Sequence, residues 1–395
     1  MLSLNRIRGK LLRRKRASVA LDHREQSALE RTLDFNTKFD SILSKPTKAF
    51  FWPDYANPYQ QLFYGADTAM FQSEPKTIED AASYLRDNPD QSVVFHLHWL
   101  NLLLKSGQDN KTDDLVAGFI EDCRTFVELG GAVFWTVHNI EEHARAQVDQ
   151  EKKLHAFLAK ICAAIFVHGE AASADLVAKI PSLSQRKIHV IPHGNYIGCY
   201  PDQSQRDEAR DALKVSKTDH LFLTLGYVRK YKGIDTLCDA FARLGHDSNA
   251  QLLIAGKVSS SDRTYFYEAF ARSDTITCHD GFVPDGEVQV YLNAADFAVF
   301  PYTAFTTSGA AVLAHSFSVP VIAPDVGFFR EFVEDGQTGF LYDPNEQNAL
   351  KDVIERAGNL DPQALGRLRY NAFEHAKSLS WAKARRRFFD ALNAL

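Results

Sequence analysis

From about residue 48 the chain alternates short apolar runs with longer stretches whose apolar residues recur at helical spacing. Short apolar runs bounded by turn residues read as buried strands, and the amphipathic stretches between them read as covering helices. The first set of expected strands is Ala49–Trp52, Ser92–His98, Ala132–His138, Ala164–His168 and Lys187–His193. Helices over Leu115–Leu129 and Glu151–Ala163 are among the segments between them. A polar, charged stretch at Pro201–Asp219 separates this set from a second. That second set comprises His220–Gly226, Ala250–Gly256, Thr275–Thr277, Asp296–Pro301, Val319–Ala323 and Thr338–Leu341. Strands alternating with helices specify parallel sheets covered on both faces. The expected class is therefore α/β, with two doubly wound domains facing a cleft and a linker near residue 201. Ligands of such sheets sit beyond the carboxyl ends of the strands, so those ends are where chemistry is sought.

Composition excludes more than it assigns. With 395 residues, 45% hydrophobic and 24% charged, the chain is neither collagen, coiled coil nor globally disordered. It contains no run of about 18 apolar residues able to cross a membrane as a helix. The five cysteines (Cys123, Cys162, Cys199, Cys238, Cys278) are scattered and form no CxxC pair, which fits a reducing compartment.

The net charge of −5 hides a polarised distribution. Arg6, Arg8, Lys10, Arg13, Arg14, Lys15 and Arg16 precede the first acid, Asp22. Without those seven, 38 basic side chains face 50 acidic ones. Leu4, Ile7, Leu11 and Leu12 fall at helical spacing, so residues 1–17 can lie as a basic amphipathic helix on an anionic membrane surface. At roughly 1 kcal/mol per basic residue the attraction is bounded near 7 kcal/mol, enough for reversible attachment. A basic arm with no specific partner is the competing reading. An acidic body disfavours nucleic acid as a partner. The expected location is cytoplasmic, peripheral on the inner face of the membrane.

Four strand ends carry histidine: His98, His138, His168 and His193. At a cleft, histidine can donate to sugar hydroxyls or phosphates or move a proton near neutral pH. Each can equally serve as a cap bonded to backbone. A four-histidine metal site is disfavoured, because no carboxylate at HExxH-like spacing completes it. HNIEEH places His138 and Glu141 in one loop, an acid and a base within four residues. The loop after the first strand adds Asp54.

On the second sheet, LTLGYVRKYKGIDTLCDAF reads strand, turn, helix. Gly226 permits the turn, and Arg229 and Lys232 fall in the loop entering a helix near Gly233, whose amino end favours anions. This is neither a P-loop nor GxGxxG. In PYTAFTTSGAAVLAHSF, Thr307 or Ser308 can cap a helix whose first turn, with Gly309 and Ala310, exposes backbone N–H groups to a second phosphate.

In this order the segments resemble family-4-type glycosyltransferases of the GT-B fold, two Rossmann-like domains facing a cleft. The likeness is carried by GYVRKYKGIDTL, by HDGFVPDGEVQVYLNAADFAVFPY, by VPVIAPDVGFFREFVEDGQTGFLYDP with Glu331 and Gly339, and by LSWAKARRRFFDAL. It covers roughly residues 90–390 and is stronger in the second half. The resemblance implies that Arg229 and Lys232 hold a donor diphosphate, Val283 lies by the base, Ser308 and Gly309 give backbone contacts to phosphate, and His138 contacts the transferred sugar. It also implies four parts: a basic segment 1–44, an acceptor domain 45–200, a donor domain 201–375 and a terminal helix 376–395 crossing back to the first domain. HLHWLN, VHNIEEH, PHGNY, VRKYKG and TTSG are similar to bacterial exopolysaccharide transferases, including β-mannosyltransferases acting on lipid-linked oligosaccharides.

Two departures stand out. The family's paired glutamates fall at Phe305 and Leu313, and its arginine after the loop glycine is Tyr227. The stereochemical course therefore stays open, and for an inverting course the base candidates are Glu141, His138 and Asp54. The function so implied is transfer of a sugar from a UDP- or GDP-sugar to a hydroxyl of a glycan, with no cofactor. No DxD triplet is present, so the diphosphate would be held by Arg229, Lys232 and helix amino ends rather than by a metal. A catalytically silent nucleotide-sugar-binding protein and a GT-B nucleotide-sugar epimerase are the alternatives.

Overall fold

The computed structural model describes residues 42–55, 58–65, 67–104, 109–140, 147–183, 188–244 and 248–395. The basic segment 1–17 and Glu141 lie outside the described residues. Among the described residues, twelve parallel strands form two six-stranded sheets. The first contains β1 (Thr47–Trp52), β2 (Phe71–Pro75), β3 (Ser92–Leu97), β4 (Ala132–Thr136), β5 (Ala164–Val167) and β6 (Ile188–Val190), in the order β2-β1-β3-β4-β5-β6. The second contains β7 (His220–Leu225), β8 (Ala250–Ala255), β9 (Ile276–His279), β10 (Phe297–Val299), β11 (Val321–Pro324) and β12 (Gly339–Tyr342), in the order β12-β11-β10-β7-β8-β9. This is the two-domain GT-B arrangement.

Central strands such as AIFV of β5 are buried at every position because helices cover both faces, which explains their unbroken apolar runs. β2 was not expected. Its sequence, FQSEP, has no alternation and ends in proline, tolerable only because it pairs on one side, at the sheet edge. The four expected strands that end in histidine also run one to three residues too long at that end. His98, His138, His168 and His193 stand just past the ordered ladder, where the chain leaves the sheet. The helix expected over Leu115–Leu129 begins earlier, at Asp109, and ends at Glu128.

One core cluster runs from a face of the first sheet through the terminal helix Trp381–Asn393 to the inner face of the second sheet. Ser380 caps that helix by accepting from Lys383 N at 3.3 Å. Phe388 then inserts among Phe63, His96, Phe134 and Phe166, with ring centroids 5.2–5.7 Å apart. Burying one such ring contributes about 2–3 kcal/mol. Arg385, 1% exposed, donates to the carbonyls of Leu62 and Phe63 at the end of helix Pro58–Tyr64. The chain's last helix thus packs on its first domain and ties the two sheets together.

Candidate active site

The two sheets turn their carboxyl ends towards one another. On the first sheet these ends carry a row of five buried imidazoles: His96, inside β3, and His98, His138, His168 and His193. Helix Pro58–Tyr64 lies over the row. Tyr59 meets the rings of His98, His138, His168 and His193 at 4.8–5.8 Å, and its hydroxyl reaches His168 Nε2 at 3.3 Å. Tyr64 bridges His96 Nδ1 and His98 Nε2, both at 2.7 Å. Trp99 stacks on His138 at 4.1 Å. Burial holds every ring neutral. It pushes His96, His98 and His138 well below the usual 6.5, helped by the neighbouring imidazoles, and brings His168 to about 4 and His193 to about 3.

The second sheet presents the opposite character. A cavity of about 340 Å³ opens at the ends of β7, β8 and β10, lined by Gly226, Tyr227, Lys257, Val283, Asp285, Gly309 and Leu313 among others. Its floor depends on backbone approach. Gly256 has φ +148, and a methyl group there would lie 2.0 Å from the carbonyl oxygen of Gly226, so only glycine lets these two loops run side by side. Lys232 Nζ lies 3.4 Å from where a methyl on Gly226 would project and 5.3 Å from the centre of the Tyr302 ring. Arg229 spreads over Tyr227, 5.1 Å from the ring centre. Burial, with the Arg229 charge beside it, lowers the Lys232 ammonium to about 8. Among the described residues neither cation has a carboxylate within 4 Å. Two adjacent unpaired cations beside a glycine-lined cavity can attract an anion.

A second set of donors faces the same cavity. Ser308 caps helix Gly309–Ser316, its hydroxyl accepting from Ala311 N at 3.2 Å. The N–H groups of Gly309 and Ala310, both lining the cavity, are the ones such a helix start leaves without intrahelical partners. The Thr307 hydroxyl is buried and has no partner among the described residues, so Ser308 and not Thr307 is the cap.

Among the described contacts between the halves, three lie by these elements. A methyl on Gly309 would lie 3.6 Å from His193 Nε2 and 3.4 Å from the Tyr196 hydroxyl. Ile140 N, two residues past His138, donates to Thr306 Oγ1 at 2.9 Å. The Glu331 carboxylate accepts from Glu170 N and Ala171 N at 3.0 and 2.5 Å, capping a first-domain helix from the second domain.

The structure therefore brings together Gly226, Val283 and Gly309 around one cavity, with Lys232 beside Gly226, Arg229 over the lining residue Tyr227, and His193 against Gly309. His98 differs from the expectation that all four histidines face the cleft: it is 1% exposed and both its ring nitrogens are engaged internally, by Tyr64 and His138. Asp54 is exposed in the loop after β1, next to Tyr55, whose ring meets Trp99 at 4.9 Å. Phe305 packs on Phe329 at 4.7 Å, while Leu313 lines the cavity. Sequence reasoning missed His96, Tyr59, Tyr64, Thr136, Lys257 and Asp285. His96 was within reach, since HLH puts two imidazoles on one face of a strand. Nothing in PYQQLFY marks its tyrosines as partners of histidines.

Two parallel sheets whose carboxyl ends enclose a cationic, glycine-lined cavity define the GT-B class. Residues 205–375, which hold the second sheet, match the family described as glycosyl transferases group 1. D-inositol 3-phosphate glycosyltransferase 1 of Catenulispora acidiphila is 28% identical over 232 residues, 55% of this chain and 54% of that protein. Alpha-monoglucosyldiacylglycerol synthase of Acholeplasma laidlawii is 27% identical over 197 residues, 46% of each chain. The chain spans about half the length of the curated relatives it matches. HepE of Anabaena, solved with UDP and glucose, superposes with a TM-score of 0.64 at 16% identity over 88% of this chain and 100% of its own. Sucrose-phosphate synthase of Thermosynechococcus elongatus gives 0.62 at 17% identity over 88% and 98%. At these identities the likeness is one of fold.

Proposed function

We propose that the protein transfers a sugar from a UDP- or GDP-sugar to a hydroxyl of a glycan acceptor, membrane-attached and lipid-linked, in the synthesis of an exopolysaccharide. The observation that carries this reading is the pair of unpaired cations by Gly226 and Tyr227, beside a cavity whose Gly309 lies against His193 of the neutral histidine row. As the bond from the sugar's anomeric carbon to the diphosphate oxygen breaks, negative charge grows on the diphosphate. Lys232, Arg229 and the N–H groups of Gly309 and Ala310 stabilise that charge where it develops. The row opposite receives the sugar, its buried imidazoles and tyrosines offering polar atoms in a site from which water is largely excluded. Residues 1–17 would hold the enzyme to anionic lipid, a role in keeping with the lipid acceptor in the name of the Acholeplasma relative.

The test is release of UDP or GDP from a panel of nucleotide sugars, with and without glycan acceptors, followed by product analysis. Donor-dependent release that disappears in Lys232→Ala with the fold intact is the expected result. A second reading, a silent nucleotide-sugar-binding protein, is favoured by Phe305 and Leu313 standing where the family has glutamates. It predicts tight binding without release for any acceptor.

A further inference from the structure

Within the histidine row runs a chain of hydrogen bonds whose direction is set at one end. Thr136 Oγ1 lies 2.8 Å from His96 Nε2, and His96 Nδ1 lies 2.7 Å from the Tyr64 hydroxyl. That hydroxyl lies 2.7 Å from His98 Nε2, and His98 Nδ1 lies 3.1 Å from His138 Nε2. A neutral imidazole has one N–H and one lone pair, and a phenol donates once. The links therefore all point outwards from Thr136, all point back towards it, or converge on Tyr64, and the last leaves the buried Tyr64 hydroxyl hydrogen without an acceptor among the described residues.

Pointing outwards, Thr136 donates to His96 Nε2, His96 Nδ1–H to Tyr64, Tyr64 to His98 Nε2, and His98 Nδ1–H to His138 Nε2. Pointing inwards, the same contacts survive, but the Thr136 hydroxyl hydrogen has nowhere to go. Thr136 is 1% exposed, and among the described residues its hydroxyl has no other partner. A buried donor left unmade is costly, so the outward direction prevails. The neutrality that burial imposes on each ring keeps the argument intact, because an imidazolium, with two N–H groups, would break the chain.

We propose that Thr136, His96, Tyr64 and His98 are positioning residues that fix His138 in the tautomer carrying its hydrogen on Nδ1. That nitrogen has no partner among the described residues and is not sealed from solvent. His138 thus presents an N–H donor to an oxygen of the ligand, a sugar hydroxyl or a phosphate, and no lone pair with which to take a proton. It is a hydrogen-bond donor and not the general base. The chain cannot relay protons either, since sending one out through His138 would leave an alkoxide on Thr136. His168 and His193 are set the other way. Their Nδ1–H groups donate to the carbonyls of Ile191 and Gly194 at 2.9 and 2.8 Å, leaving Nε2 of each as an acceptor. Only the identity of the ligand rests on the sugar-transfer reading.

The direct test is nitrogen NMR of the full chain labelled in its histidine rings, with the His138 signals assigned by their loss in His138→Asn. The wild type should show His138 with hydrogen on Nδ1 at a ratio of at least about 5:1. Tyr64→Phe, which cuts the chain, should bring the two tautomers within about twofold of each other; Thr136→Val serves the same purpose if Tyr64→Phe does not fold, and Thr136→Ser should restore the wild-type ratio. Hydrogen on Nε2 of His138 in the wild type, or an unchanged ratio in the cut chain, overturns the proposal. In a turnover assay with UDP-glucose and GDP-mannose, Tyr64→Phe should lower kcat about tenfold with KM unchanged. A tautomer shift with no loss of kcat would refute the positioning role. A wild type that turns over no nucleotide sugar would sink the transfer reading, while the NMR result would still decide the tautomer.

Discussion

The two faces of the cleft solve opposite problems. The first sheet buries five imidazoles and two tyrosines, satisfies them with one another and with backbone carbonyls, and keeps them uncharged. The second keeps its cations unpaired, one of them half-buried, beside a cavity built from glycine and helix-start N–H groups. A neutral, directional wall suits a sugar, whose hydroxyls need donors and acceptors in fixed places. A charged, under-satisfied wall suits a diphosphate. The difference also divides the energetics: the first face depends on staying deprotonated, the second on staying protonated.

Acid should expose that division most strongly. The folded-state pKa values of the row are lowered, so the unfolded chain binds more protons between pH 6.5 and about 4. Stability should be complete above pH 6.5 and fall below it, by roughly 1.4 kcal/mol per pH unit for each fully buried histidine. Thermal melts at pH 7.5, 6 and 5 should drop steeply; a flat melting temperature over that range would mean the row is not buried and neutral. Nucleotide affinity should move in the other direction, weakening as pH rises past about 8 and Lys232 loses its charge.

Gly256→Ala should come next. The added methyl meets the Gly226 carbonyl in a backbone region that L residues avoid, costing about 3 kcal/mol and distorting the cavity floor. Denaturant melts and nucleotide titration together would check it, and wild-type affinity would show that the two loops are not in contact. The smallest effect is reserved for Tyr227→Ala. It removes the ring beneath Arg229, worth about 0.5–1 kcal/mol, and should weaken nucleotide binding a few-fold with the melting temperature unchanged.

Much of this was legible in the chain. The parallel sheets follow from buried apolar runs, and the glycine turn and helix start that line the cavity from Gly226 and the TTSG turn, because local sequence sets turn geometry and helix starts. What stayed hidden is tertiary. β2 forms because an edge strand needs little apolar content. Tyr59 and Tyr64 become partners of histidines only when their helix crosses the sheet end, and His98 turns inward because Tyr64 is there to receive it. Lys257 and Asp285 reach the cavity from loops whose sequence alone carries no phosphate or sugar signature.

The central claim is that an unpaired Lys232 charge makes the second-sheet cavity a nucleoside-diphosphate site. Calorimetric titration of UDP and GDP into wild type and Lys232→Met, with melting temperatures recorded alongside, tests it most directly. One nucleotide should bind the wild type and bind Lys232→Met at least about tenfold more weakly. The variant's melting temperature should equal or exceed the wild type's, because the burial cost of the ammonium is gone. Equal affinity in both proteins, or no binding of either nucleotide to the wild type, would contradict the account.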